Sequence, residues 1–147
     1  MAIILNSLSD VPKLENCVTT NGCFDVLHIG HIRCLQQAKA LGGQLVVGVN
    51  TDESVKQLKG NIRPMFPLHV RMLQLAALSC VDYVVPIVDS FELIGAFKPK
   101  YHVKGRGYDE NIPEKKLVEH LGGKLVIVSS EYETSTTKIL LGLWQSQ

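Results

Sequence analysis

Much of what would place this chain in an extreme class is missing. Its 147 residues carry 15 Lys and Arg against 14 Asp and Glu, a formal net charge of +1. There is no basic stripe to hold nucleic acid and no acidic tail. No apolar window of about 18 residues occurs, so no membrane-spanning helix is expected. The start, Met1-Ala2-Ile3-Ile4-Leu5, is too short and lacks the basic flank of a signal peptide. Cys17, Cys23, Cys34 and Cys80 form no C-x-x-C pair. They read as small buried residues of a reducing compartment, not as disulfides or a zinc site, and Cys23 reads as structural ahead of reactive. No G-x-x-x-x-G-K-[ST] loop occurs, which disfavours a P-loop ATPase. These absences leave a cytoplasmic protein with neither a membrane nor a nucleic-acid partner as the expectation.

What is present is an ordinary apolar content, 46%, in a length suited to one domain. A chain this long buries about 68–70% of its unfolded surface and needs no covalent staples. Residues 1–15 read as a lead-in. Strands are expected over about 16–22, 45–49, 81–87, 101–104 and 124–128. Leu45-Val46-Val47-Gly48-Val49 is an uninterrupted apolar run, as in a parallel strand covered on both faces. Between the strands lie helical patterns. One runs from Gly30 to Leu41-Gly42-Gly43, one follows Asn50-Thr51, one starts at Pro67, one spans 91–97 and one spans 113–121. A last helix occupies 135–147. The pieces Leu41-Gly42-Gly43-Gln44-Leu45 and Leu121-Gly122-Gly123-Lys124-Leu125 use one helix-glycine-strand device twice. Strand and helix alternate throughout, so the fold class is α/β: a single Rossmann-like domain over 1–147, a parallel sheet with helices on both faces.

The stretch Thr20-Asn21-Gly22-Cys23-Phe24-Asp25-Val26-Leu27-His28-Ile29-Gly30-His31 organises the rest. It reads as a strand end, a glycine turn and a helix start. Histidines three apart fall on one helix face. At a helix start the amides point outward and the dipole is positive, so a phosphate there would meet amide donors and two imidazoles. A metal site and a chance surface pair are the blander readings of the same spacing. Ser135-Thr136-Thr137 places three hydroxyls at the start of the last helix. One would suffice for capping; three suggest a second anion site. Lys59 lies on a polar, glycine-broken stretch, Lys56 to Pro64, read as a mobile loop at the sheet edge where α/β folds bind ligands. Arg71 reads as a structural ion-pair residue ahead of a phosphate contact.

G-x-F-D followed by HxGH, with S-T-T opening a late helix, resembles the cytidylyltransferase-like nucleotidyltransferases over about 16–142. Leu58-Lys59-Gly60 to Arg63-Pro64, Pro67-Leu68 with Arg71-Met72, and Val103-Lys104-Gly105 are most similar to the branch that adenylylates heptose 1-phosphates. The resemblance implies strand order 3-2-1-4-5 in a five-stranded sheet and a homodimer. It implies transfer of a nucleoside monophosphate from a triphosphate, ATP favoured, to a sugar 1-phosphate such as D-glycero-β-D-manno-heptose 1-phosphate, with pyrophosphate released. Mg²⁺ is expected with the nucleotide, and a separate sugar kinase is expected upstream.

By the same resemblance the amides of Cys23 and Phe24 hold the α-phosphate. His28, His31 and Lys59 are the catalytic set and also bind nucleotide. Gly105 lines the base and ribose pocket, and Ser135, Thr136 and Thr137 hold the outer phosphates. Asp25, Asn50, Arg71, Lys104 and Arg106 are candidate substrate or phosphate contacts. Two departures stand out. Where the heptose branch has an acidic residue before the aromatic, this chain has Gly107 before Tyr108. Where glycerol-phosphate relatives have an arginine six residues before S-T-T, it has Ser129. The competing readings are a CTP-dependent transferase acting on a polyol or alcohol phosphate, and a nucleotide-binding regulator without catalysis. A tRNA synthetase, which shares the histidine motif, is set aside because no K-M-S-K-S loop is present.

Overall fold

The computed structural model describes residues 1–105, 107–129, 139, 140 and 142. Six parallel strands form one sheet: β1 (Ile3–Ile4), β2 (Val18–Gly22), β3 (Leu45–Asn50), β4 (Tyr83–Ile87), β5 (Tyr101–Lys104) and β6 (Lys124–Ile127). Their order across the sheet is β1-β4-β3-β2-β5-β6. The five expected strands therefore follow the expected 3-2-1-4-5 order. The lead-in adds a sixth at the edge, where Ile3 pairs with Tyr83 and Ile4 with Val84. Two residues are too few for a periodic pattern, so backbone pairing alone defines this strand.

The helices are α1 (Ile29–Ala40), α2 (Asp52–Lys59), α3 (Leu68–Ala76), α4 (Ser90–Phe97) and α5 (Glu114–His120). Every residue of β3 is buried, as its unbroken apolar run predicts for a central parallel strand. Its side chains alternate between two layers. Leu45, Val47 and Val49 pack with Val18, Val84 and Val103 under Leu35 of α1 and Met72 and Leu75 of α3. Val46 packs with Cys17, Val85 and Ile87 against Leu93 and Phe97 of α4. Burial of each such Leu, Val or Phe stabilises the fold by about 1.5–3 kcal/mol.

The two Gly-Gly turns explain themselves by close approach. A Cβ on Gly43 would sit 2.5 Å from the Asn16 carbonyl oxygen, and one on Gly123 would sit 2.3 Å from that of Pro99. Each turn thus lets the incoming strand lie against the backbone beside it. The chain runs β2, β3, β4 in one direction, then crosses back to β5 and β6. That reversal leaves β2 beside β5, and the crevice at their carboxyl ends is where open α/β sheets bind ligands.

Candidate active site

β2 delivers the Cys23–Asp25 turn to that crevice. Phe24 takes a left-handed conformation, φ 48°, which is costly for a residue with a side chain. Its ring is nevertheless fixed: it is 7% exposed and meets the His31 ring edge-on, centroids 5.3 Å apart. The amides of Cys23 and Phe24 donate to no acceptor among the described residues. Their donor capacity is unused within the described residues.

The histidines are arranged in a way the sequence does not announce. His28 is the N-cap of α1, and its Nδ1 accepts from the amides of Gly30, at 3.1 Å, and His31, at 3.4 Å. His31 Nδ1 accepts in return from the His28 amide at 3.2 Å. The result is a capping box built from two imidazoles. The rings stack, centroids 3.7 Å apart and planes 22° apart.

An accepting Nδ1 carries no proton, so each neutral ring carries it on Nε2. Burial depresses the His28 imidazole below its ordinary value. His31 is pushed down to about 3, first by burial and then by His28 and Lys59. Both rings are therefore neutral Nε2–H donors. This corrects one expectation: the first-turn amides of α1 at Gly30 and His31 are occupied by His28. Among the described residues, the two Nε2–H groups and the amides of Cys23 and Phe24 are donors left for a phosphate.

Lys59, the last residue of α2, is exposed and makes no hydrogen bond or ion pair among the described residues. Its positive charge opposes the rise of the Cys23 thiol and adds to the lowering of His31. Burial dominates at Cys23 and raises its thiol, against the pull of Lys59, Arg71 and Arg63. The thiol stays protonated, in keeping with a structural cysteine. Gly105 follows β5 and approaches α1, where an added Cβ would lie 3.7 Å from Cys34 Sγ.

Three of the candidate substrate contacts bind the protein instead. Arg71 is 0% exposed. Its Nε donates to the Phe66 carbonyl (3.0 Å), Nη1 to the Cys23 and Asn50 carbonyls (2.7 Å each) and Nη2 to Asp52 Oδ1 (2.6 Å). These hydrogen bonds all go to the protein and the side chain is sealed from solvent, so Arg71 reads as structural. Asp25 is 1% exposed and accepts from Arg63 Nε (2.6 Å) and from the amides of Met65 (2.8 Å) and Phe66 (3.0 Å). Burial alone would raise its carboxyl, but these donors outweigh it and hold the group below the ordinary range. Asn50 Nδ2 donates to Ser54 Oγ (2.8 Å) and the Val88 carbonyl (3.2 Å). Nothing in the sequence spacing pairs Arg63 with Asp25.

Lys104 remains a candidate contact. Its Nζ lies 3.0 Å from Asn21 Oδ1, 3.9 Å from Glu114 Oε1 and 5.2 Å from the Tyr108 ring centroid. Burial lowers its ammonium, partly offset by Glu114. Arg106, Ser135, Thr136 and Thr137 lie outside the described residues, as do most of residues 135–147, where the sequence predicts a last helix.

A family model described as Cytidylyltransferase-like matches residues 19–141. The chain belongs to the cytidylyltransferase-like family. Over 127 residues it is 48% identical to a protein of Bordetella bronchiseptica named D-beta-D-heptose 1-phosphate adenylyltransferase, covering 84% of this chain and 78% of that one. Over 142 residues it is 44% identical to the Bifunctional protein HldE of Syntrophotalea carbinolica, covering 91% of this chain. The matched part is only 29% of that longer protein. Among solved structures, the lipopolysaccharide core biosynthesis protein of Thermoplasma volcanium superposes with a TM-score of 0.65 at 32% identity, covering 80% of this chain and 98% of that one.

Proposed function

We propose that the chain is a nucleotidyltransferase that moves AMP from ATP to a heptose 1-phosphate, of the D-glycero-β-D-manno form, releasing pyrophosphate and ADP-heptose. The observation that carries this reading is the 48% identity, over most of both chains, to a protein bearing the heptose-phosphate adenylyltransferase name. The crevice chemistry supports it. An acceptor phosphate oxygen attacks the α-phosphorus in line, a P–O bond forms, and the bond to pyrophosphate breaks. The acceptor is already an anion, so no strong base is needed. The difficulty is bringing anions together and stabilising charge on the phosphoryl oxygens, which positioning and fixed donors address.

In this reading the Cys23 and Phe24 amides hold the α-phosphate, and the Nε2–H groups of His28 and His31 donate to its oxygens as charge develops. Lys59 neutralises the phosphates from the α2 side. Gly105 borders the nucleoside, Lys104 is a substrate contact, and Ser135, Thr136 and Thr137 take the outer phosphates. Among the described residues no cluster of three or more His, Cys, Asp or Glu side chains could hold a metal. Mg²⁺ brought by the nucleotide would offset the charge of the leaving pyrophosphate. The acceptor has to come from a sugar kinase, on this or another polypeptide. A homodimer belongs to the same reading. Among the described residues no helix is long and apolar enough to cross a membrane.

Pyrophosphate release from ATP, CTP, GTP and UTP against several sugar and polyol phosphates tests the proposal. Release with ATP and the heptose 1-phosphate is expected. Release with CTP and glycerol 3-phosphate would select the polyol reading, and nucleotide binding without turnover across the matrix would select the regulator.

A further inference from the structure

We propose that Asp25 is a positioning residue for Lys59, pinning the turn that directly follows the lysine at the end of α2. The inference rests on the adenylyl-transfer reading and deepens it. Asp25 directly follows the Cys23–Phe24 cradle, yet its oxygens face away from a ligand and toward residues 63–66. Arg63, held by Asp25 through Nε, also donates its amide to the Gly60 carbonyl at 3.2 Å. Gly60 in turn closes α2 on the Lys56 carbonyl at 2.9 Å and has φ 95°. Lys59 is its neighbour. A short hydrogen-bonded path therefore runs from the cradle carboxylate to the lysine.

Little else anchors that turn. Leu58 is 68% exposed, Ile62 85% and Met65 54%. A segment that buries so few apolar atoms opens locally at low free energy unless hydrogen bonds hold it. Its other end is secured through α2, where Val55 is fully buried and Asp52 takes Arg71. Asp25 supplies the missing second anchor with one charge-assisted bond and two amides. A carboxylate beside the Cys23–Phe24 amides thus holds the segment that follows α2.

The test is a double-mutant cycle on ATP and D-glycero-β-D-manno-heptose 1-phosphate, read by pyrophosphate release. Lys59→Ala and Asp25→Asn are each expected to raise the KM for ATP about tenfold, the scale of one charged hydrogen bond. The double variant is expected to be no worse than Lys59→Ala alone, because both remove the same contact. Increases that multiply would overturn the proposal. Should Asp25→Asn fail to fold, Arg63→Met, which removes the Nε donor and keeps the carboxylate, carries the same cycle with the same two outcomes.

Limited trypsin digestion without nucleotide gives a readout independent of turnover. Cleavage after Lys56 or Lys59 is expected to be several-fold faster in the folded Asp25 or Arg63 variant than in the parent, and equal rates would overturn the proposal. A parent chain releasing no pyrophosphate from any triphosphate would remove the adenylyl-transfer reading, while the digestion still decides the role of Asp25.

Discussion

His28 and His31 stack across the first turn of α1. Asp25 and Arg71 lie on either side of the same turn-and-loop junction, sealed from solvent. All four carry groups that bind phosphate or its counter-ions elsewhere. The difference is in what is left over. The histidines satisfy the backbone with Nδ1 and keep Nε2–H for something outside. Arg71 gives its donors to three carbonyls and Asp52, and Asp25 gives its oxygens to one guanidinium and two amides. Residue type nominates a ligand; unused hydrogen-bonding capacity separates a ligand from a brace.

Arg71→Ala sharpens this comparison most. It leaves the carbonyls of Cys23, Asn50 and Phe66 without their buried donor and Asp52 without its partner. A stability loss of about 3–5 kcal/mol is expected from urea denaturation, because three carbonyls lose a donor at about 1–3 kcal/mol each, while Asp52 is exposed enough to be hydrated. A loss below about 1 kcal/mol would mean that Arg71 is not the brace.

His28→Asn probes the other pair. Asparagine is a good N-cap, so the first turn of α1 keeps an acceptor, but no group remains where Nε2–H was. The expected result is a fall in kcat of about 10²–10³, the cost of one lost transition-state donor, with the thermal midpoint nearly unchanged. Near-normal turnover would reduce the imidazole to a cap.

The smallest effect is on stability with pH. The His31 ring titrates near 3 in the fold against an ordinary 6.5. Between those values the unfolded chain binds the extra proton, so stability is complete above about 6.5 and falls as pH drops, by up to about 1.4 kcal/mol per pH unit. His102, fully buried on β5 with its Nδ1 2.7 Å from Thr19 Oγ1, is also pushed down to about 3 and acts in the same direction. His31→Gln isolates the first contribution: its denaturation free energy is expected to fall less steeply between pH 6.5 and 4. Parallel slopes would mean that burial does not hold His31 below its ordinary value in the fold.

Most of the architecture was legible before any coordinates. The run Leu45–Val49 declares a buried parallel strand, and the two Gly-Gly turns mark strand entries. The histidine turn falls at the carboxyl end of the sheet, where open α/β sheets bind ligands. What was not legible depends on partners far away in the chain. β1 exists only because two residues find β4. Asp25 meets Arg63 across 38 positions, and Arg71 meets the Cys23 carbonyl across 48, so no local pattern records either. The mutual histidine cap escaped for another reason: each amide of a helix start looks available until a side chain is seen to take it.

The central claim is that two neutral imidazoles, each protonated on Nε2, present that edge to a nucleotide phosphate. Nitrogen-15 resonances of the His28 and His31 rings, followed while a non-hydrolysable ATP analogue is added near neutral pH, test it most directly. The account predicts the Nε2–H form for both rings throughout, with both Nε2 signals moving as the analogue binds. Protons on Nδ1, or bound analogue with both Nε2 signals unmoved, would contradict it.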